Sequence, residues 1–144
     1  MNSICAALGI SQLKKLKKKI ILRKKIYERY LFNFKNSQNI QILSHQIKSK
    51  NNYWMNVIYF KLLNYKQTLR LSLSLSKKKI ETRRVWRPLN LQLHLKKYQT
   101  FNILNAPKYY FSSLCIPSDD NISISEVDKI STYIKKFYEN INNN

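Results

Sequence analysis

NAPKYYFSSLCIPSDDNISISEVDKI, residues 105–130, changes character twice. NAPKYYFSSL, 105–114, reads as a short helix with Pro107 in its first turn, where a missing N–H is tolerated. CIP, 115–117, is short, apolar and extended. Ser123 followed by Glu126 fits a capping box. Ile124, Val127, Ile130, Ile134, Phe137 and Ile141 then fall at three- and four-residue steps, so a second helix runs through residue 141. NINNN is its frayed tail. Together with the long helix and the strands upstream of it, this alternation reads as a small α/β or α+β domain.

The same alternation extends upstream. Residues 3–34 read as one long helix: Leu13, Leu16, Ile20, Tyr27, Tyr30 and Phe34 make one apolar stripe, and most of the lysines lie off it. Asn2 or Ser3 caps its start, and Gly9 is a weak point near that end. NSQN at 36–39 is a turn signal. Ile40 to Leu43 is a short strand candidate, followed by a polar loop over 44–52. YWMNVIYFK, 53–61, is aromatic and β-branched and reads as a buried strand. LRLSLSLSK, 69–77, alternates with period two, which by itself favours a strand. IETRRVW, 80–86, is a further strand, closed by Pro88. No internal repeat and no linker is present.

The chain has 144 residues, enough for one domain with one core, and 44% of them are hydrophobic. No apolar run approaches the ~18 residues of a membrane span. The start, MNSICAALGISQL, has no basic residue ahead of its apolar stretch, which argues against a signal peptide. Cys5 and Cys115 match no metal spacing, and a reduced, cytoplasmic compartment is the plain expectation. The net charge is +20; residues 1–80 carry one acid, Glu28, against eighteen Lys and Arg, whereas the last 26 residues are mildly acidic. Such charge suggests nucleic acid or an anionic surface. Lys, Asn and Ile dominate, however, and their codons can be built from A and T alone, so an AT-rich genome accounts for the bias without a polyanion partner.

The residues by themselves assemble no active site. One glycine cannot build a phosphate loop. His45 and His94 are isolated, with no ligand partner at metal spacing. Cys115 in LCIP reads as a buried thiol, and Asp119 and Asp120 read as helix-capping acids. The aromatic residues fall on apolar stripes and strands, which favours core packing over base stacking.

Three stretches in order carry a family resemblance: ICAALGISQL (4–13) with RKKIYERY (23–30), IETRRVWRPLNLQ (80–92) and the 105–130 stretch. They resemble the C-terminal part of the DegT-type sugar aminotransferases, pyridoxal-phosphate enzymes that aminate a nucleotide-linked keto sugar. The T-R-x-x-W-x-P-L-x-L-Q and S-L-C-I-P-S patterns are most similar to members that make amino sugars for nonulosonic acids and other surface glycans. The resemblance runs from Met1 to about Tyr138. It implies a long interdomain helix (1–35) and the small C-terminal α/β domain (36–144) of a fold-type I aminotransferase, with the large domain absent, and it implies a helix over 66–77 in place of the alternating strand.

It also implies that the chain starts just past an Asn that reaches a cofactor phosphate across the dimer. The Schiff-base Lys, the acid paired with the pyridine nitrogen and the phosphate-cradling loop lie upstream in complete members. No catalytic, cofactor-binding or metal-binding residue is therefore expected in this chain, and no pyridoxal phosphate is expected to bind it alone. The residues placed near the sugar nucleotide are Arg83, Trp86, Asn90 and Gln92; read structurally, Arg83 is a surface ion-pair donor and Trp86 a core anchor.

The sequence departs from the family pattern at several points. P-L-H-L-Q-P becomes Pro88, Leu89, Asn90, Leu91, Gln92, Leu93. The usual Gly before I-E-T-R, suited to a left-handed helix C-terminus, is Lys79. Acids of the first helix are lysines. These replacements fit drift in a gene fragment or a split reading frame. The resulting expectation is a C-terminal aminotransferase fragment, inactive alone, whose partners are a separately encoded large domain or a homodimer mate and a nucleotide-sugar substrate, with no membrane. The alternative is a stand-alone basic protein that binds RNA or anionic surfaces.

Overall fold

The computed structural model describes residues 2–44 and 49–142; His45 lies outside them. The first helix, α1, spans Ser3–Phe34, and Asn2 is its cap: the Asn2 Oδ1 accepts the Cys5 N–H at 2.9 Å. The stripe expected along it divides in two. Ile26, Tyr27, Tyr30 and Phe34 are buried, but Leu13 and Leu16 are 68% and 46% exposed, because the other elements reach only the C-terminal half of the helix.

Four antiparallel strands follow in the order β1-β2-β4-β3: β1 is Ile40–Ile42, β2 Asn56–Phe60, β3 Arg83–Arg84 and β4 Ser113–Ile116. The register pairs Ile40 with Phe60, Ile42 and Leu114 with Ile58, and Asn56 with Ile116, so these side chains share one face. That face packs on Tyr30 and Phe34 of α1 and on Val127, Ile130 and Ile134 of α4 (Ile124–Asn142) in one continuous core. The opposite face presents Val57, Tyr59, Ser113 and Cys115. There α3 (Asn105–Ser112) lays Tyr109 edge-on against Tyr59, ring centroids 4.9 Å apart.

Two strands are shorter than their sequence suggests. In 53–61 the first three residues stay out of β2: Tyr53 is left-handed (φ 54°), and the side-chain oxygens of Asn51 and Asn52 accept the N–H groups of Tyr53 and Trp54 in local turns. In 80–86 only Arg83 and Arg84 pair, with Cys115 and Leu114 of the four-residue β4. The alternating LRLSLSLS is helical: α2 is Tyr65–Ser76. Its start is decided by a reciprocal cap, in which Gln67 N–H donates to Asn64 Oδ1 (3.0 Å) and Asn64 N–H to Gln67 Oε1 (2.9 Å). Thr68, Leu71 and Leu75, at three- and four-residue steps, are buried, while Leu69 and Leu73 face solvent.

The end of α2 meets the requirement that a family glycine would satisfy. Ile80 N–H donates to Leu75 O (3.0 Å) and Lys79 N–H to Ser76 O (2.9 Å), a Schellman arrangement with Lys79 at φ 60°. A side chain in that conformation costs about 1–2 kcal/mol, partly offset by the greater backbone entropy that glycine loses on folding. Lys79→Gly is expected to raise stability by roughly 0.5–1 kcal/mol, and Lys79→Ala to leave it unchanged or lower. Urea melts of the three proteins check this; no gain for the glycine variant would count against the strain.

Helices α1 and α4 are clamped as well as packed. Arg29 Nε and Nη2 donate to the two oxygens of Asp128, both at 2.7 Å, and Asn33 Nδ2 donates to Asp128 Oδ1 at 2.9 Å. The Arg29 guanidinium first, then Asn33, holds the Asp128 carboxyl below the usual carboxylate range. A depressed folded-state pKa gives stability that is present above the unfolded value, near 3.9, and lost as pH falls through the folded value. Wild-type stability is therefore expected to drop on acidification below about pH 4, and Asp128→Asn to show a shallower drop in melts taken between neutral and acid pH. The α4 cap is Ser123, whose Oγ accepts Glu126 N–H (3.2 Å) while Ser123 N–H donates to Glu126 Oε2 (2.8 Å). Asp119 and Asp120 do other work than capping α4: Asp119 accepts the Asn121 N–H, and Asp120 pairs with Arg23 at 3.4 Å.

Candidate substrate-facing pocket

After β3 the chain leaves the sheet through Val85 and Trp86 and makes two single 3-10 turns, Leu89–Leu91 and Leu93–Leu95. Pro88 sets up the first turn, and Gln92 ties the segment back, its Nε2 donating to Arg87 O at 3.2 Å. This segment, α3 and the far face of the sheet enclose an open, mainly apolar cavity of about 570 Å³, walled by Trp86, Gln92, Val57, Tyr109 and Tyr110. Trp86 is 70% exposed, so it is a rim residue and no core anchor. Asn90 is half-buried in the first 3-10 turn and does not line the cavity; its Oδ1 is buried without a hydrogen-bond partner among the described residues.

The structure thus brings Trp86 and Gln92 together on one cavity and puts Asn90 in the turn between them. Arg83 is elsewhere. Its guanidinium pairs with Glu81 at 2.9 Å, both side chains being exposed, and it borders a second cavity of about 360 Å³ with Arg23, Trp54, Cys115 and Asp119. Cys115 is buried, and burial pushes its thiol pKa up, against a smaller opposing effect of Arg83.

Sequence reasoning passed over the neighbouring Arg84. Its guanidinium lies over the rings of Tyr65 (4.2 Å) and Tyr110 (5.0 Å), and its Nη2 donates to Tyr110 O. It therefore joins α2 to α3 and fixes Tyr110, one wall of the larger cavity. Two adjacent arginines on a strand must face opposite ways; the aromatic pair Tyr109–Tyr110 was the available sign that one of them turns inward.

Residues 1–135 match the model of the DegT/DnrJ/EryC1/StrS aminotransferase family. This chain belongs to that family. Solved structures of aminotransferases contain the same fold. Helicobacter pylori PseC, an aminotransferase involved in the biosynthesis of pseudoaminic acid, superposes with a TM-score of 0.85 at 23% identity, over 97% of this chain and 38% of its own. The sugar aminotransferase Spr1654 from Streptococcus pneumoniae, in its PLP form, gives 0.84 at 25% identity, over 98% of this chain and 36% of its own. DesV of S. venezuelae gives 0.78 at 13% identity, over 92% and 35%. The chain spans a little over a third of the length of these relatives. Comparison with curated protein sequences gives no match.

Complete enzymes of the family depend on pyridoxal phosphate. The described residues do not fit a site for it. An amine that forms a Schiff base has to be desolvated, and every described lysine is exposed except Lys19, which is half-buried and donates to Gln12 Oε1 at 3.3 Å. Gly9, the single glycine, lies within α1 and makes no phosphate-cradling loop. Among the described residues no three His, Cys, Asp or Glu side chains cluster to hold a metal, and no helix is long and apolar enough to cross a membrane.

Proposed function

We propose that this chain is the C-terminal part of a pyridoxal-phosphate aminotransferase acting on nucleotide-linked keto sugars in amino-sugar and polysaccharide biosynthesis, and that it is inactive alone. The single observation that carries the reading is a family match over residues 1–135 in a chain about a third the length of its structural relatives. The lack of a desolvated lysine among the described residues supports the second half of it. Residues 1–35 would link to a large domain, supplied by a separate polypeptide or a dimer mate, and 36–144 would close over the substrate. The cytoplasm, where sugar nucleotides are soluble, is the compartment this reading expects.

The role of the chain is binding and exclusion of water. Trp86 offers an indole face at the rim, and an apolar wall of Val57, Tyr109 and Tyr110 lies behind it. Gln92 supplies a polar contact that orients a sugar hydroxyl, and Asn90, in the turn beside it, would add its unpartnered Oδ1 only once that turn opens. Arg83 stands apart, paired with Glu81 at the second cavity; there it would meet the anionic end of a long substrate. Pyridoxal phosphate, when bound to the complete assembly, supplies the electron sink for amino transfer.

The purified chain, given pyridoxal phosphate, a keto-sugar nucleotide and an amino donor, is expected to show no cofactor absorbance band and no product. A stoichiometric lysine adduct trapped by borohydride, together with turnover, would overturn the reading. Addition of the cofactor-bearing large domain is expected to restore transamination, and Trp86→Ala to lower it mainly through KM.

A further inference from the structure

Helix α3 walls one side of the larger cavity with Ala106, Tyr109 and Tyr110, yet it adds nothing to the core. None of its residues is buried, and neither is any other residue from 76 to 112. Leu104, at its N-cap, makes no side-chain hydrogen bond. Eight residues without a cap or a buried face do not hold a helix in water by themselves. The chain leading into α3, 99–104, has no regular structure and passes through the left-handed Asn102 (φ 49°). At its other end α3 runs directly into β4 at Ser113, which is fully buried. The helix is thus anchored by the backbone at one end only.

Side chains supply the rest of its hold. Ser112 Oγ donates to Leu63 O at 2.7 Å, Tyr109 lies against Tyr59, and the Arg84 guanidinium sits over Tyr65 of α2 and Tyr110 of α3. The Arg84 contact differs in kind from the Arg29–Asp128 clamp. Its Nε and Nη1 are buried without a hydrogen-bond partner, and no carboxylate pairs with it among the described residues. No Asp or Glu occurs from 82 to 118. Two ring faces and one carbonyl therefore offset the lost hydration of a full charge. The guanidinium regains that hydration when it lets go, so the contact holds a helix and is still cheap to release. We propose that α3 is a movable wall of the larger cavity, latched by Arg84 and hinged at Ser113, and that its release widens the cavity while the sheet stays folded. The motion needs neither cofactor nor sugar, so it stands apart from the aminotransferase reading.

Hydrogen exchange of the chain tests the latch. In Arg84→Leu the α3 amides of 109–112 are expected to exchange at least ~10-fold faster than in the parent, and the β2 amides of 57–60 to stay within about twofold. A rise shared equally by α3 and β2 would assign Arg84 to the fold as a whole, and no rise at α3 would leave it without a latch; either overturns the proposal. Tyr65→Leu, at a residue 42% exposed, removes the other half of the contact and serves if Arg84→Leu does not fold. The two changes together are expected to speed α3 by less than the product of their separate effects; effects that simply multiply count against a shared latch. The swing itself is read with nitroxides on Lys66→Cys of α2 and Lys108→Cys of α3, both exposed, in a Cys5→Ser background where the buried Cys115 stays unlabelled. The parent is expected to give one short distance, and Arg84→Leu to add a longer population. One unchanged distance in both would mean that the wall does not move.

Discussion

Replacing Phe60 by alanine is expected to cost about 3–5 kcal/mol, a large share of the ~5–15 kcal/mol by which a domain of this size is held folded. Phe60 is fully buried at the end of the central strand β2, opposite Ile40, and its ring stacks on Tyr138 of α4 with centroids 6.3 Å apart. Removing it leaves a void that sheet and helix both border, and neither collapses into it without losing register. Phe101→Ala is the control: at 88% exposure its loss is expected to stay within about 0.5 kcal/mol. Urea denaturation of both variants beside the parent decides the matter. A cost below about 1 kcal/mol at Phe60 would mean that the sheet and α4 do not share the core described here.

The second large effect is in hydrogen exchange along α1. Residues 26–34 sit in the core, whereas 3–18 are helical with water on all sides. An isolated helix of that length is marginal in water. Here Lys14 faces Lys18 and Lys15 faces Lys19 at four-residue spacing, each pair costing roughly 0.2–0.5 kcal/mol. Amides of the free chain in 3–18 are therefore expected to exchange within about tenfold of the unfolded rate, and those in 26–34 at least ~10³-fold more slowly. Mass spectrometry of peptides from the two halves reads the contrast. Equal protection would show that the N-terminal half is already covered in the free chain.

The most legible elements were those whose ends are written in side chains. Asn2 and the Ser123–Glu126 pair mark helix starts, and α1 and α4 begin where those residues say. The alternating leucines of α2 could not be read from period alone, because Leu69 and Leu73 are apolar yet exposed; the Asn64–Gln67 cap was the deciding local signal. Strand lengths were over-read at Tyr53 and at Ile80, where side chain-to-backbone bonds and a left-handed turn end the pairing. Trp86 and Gln92, which the resemblance puts near the sugar nucleotide, line one cavity, but which of Arg83 and Arg84 turns inward depends on strand register, which local sequence does not encode. The exposed stretch of α1 looked like core because an apolar stripe reads the same whether or not the rest of the fold reaches it.

The clamp between Arg29 and Asp128 has a consequence for synthesis. Its partners are 99 residues apart, and the strands of the sheet lie between them in the chain. Within this chain α1 thus waits for α4 before its buried half is fully covered. At ~5–20 residues per second that interval lasts several seconds, during which Ile26, Tyr30 and Phe34 are open to chaperones. Closure is then a late, long-range event, and truncation anywhere before α4 would leave a nascent chain that cannot complete its core.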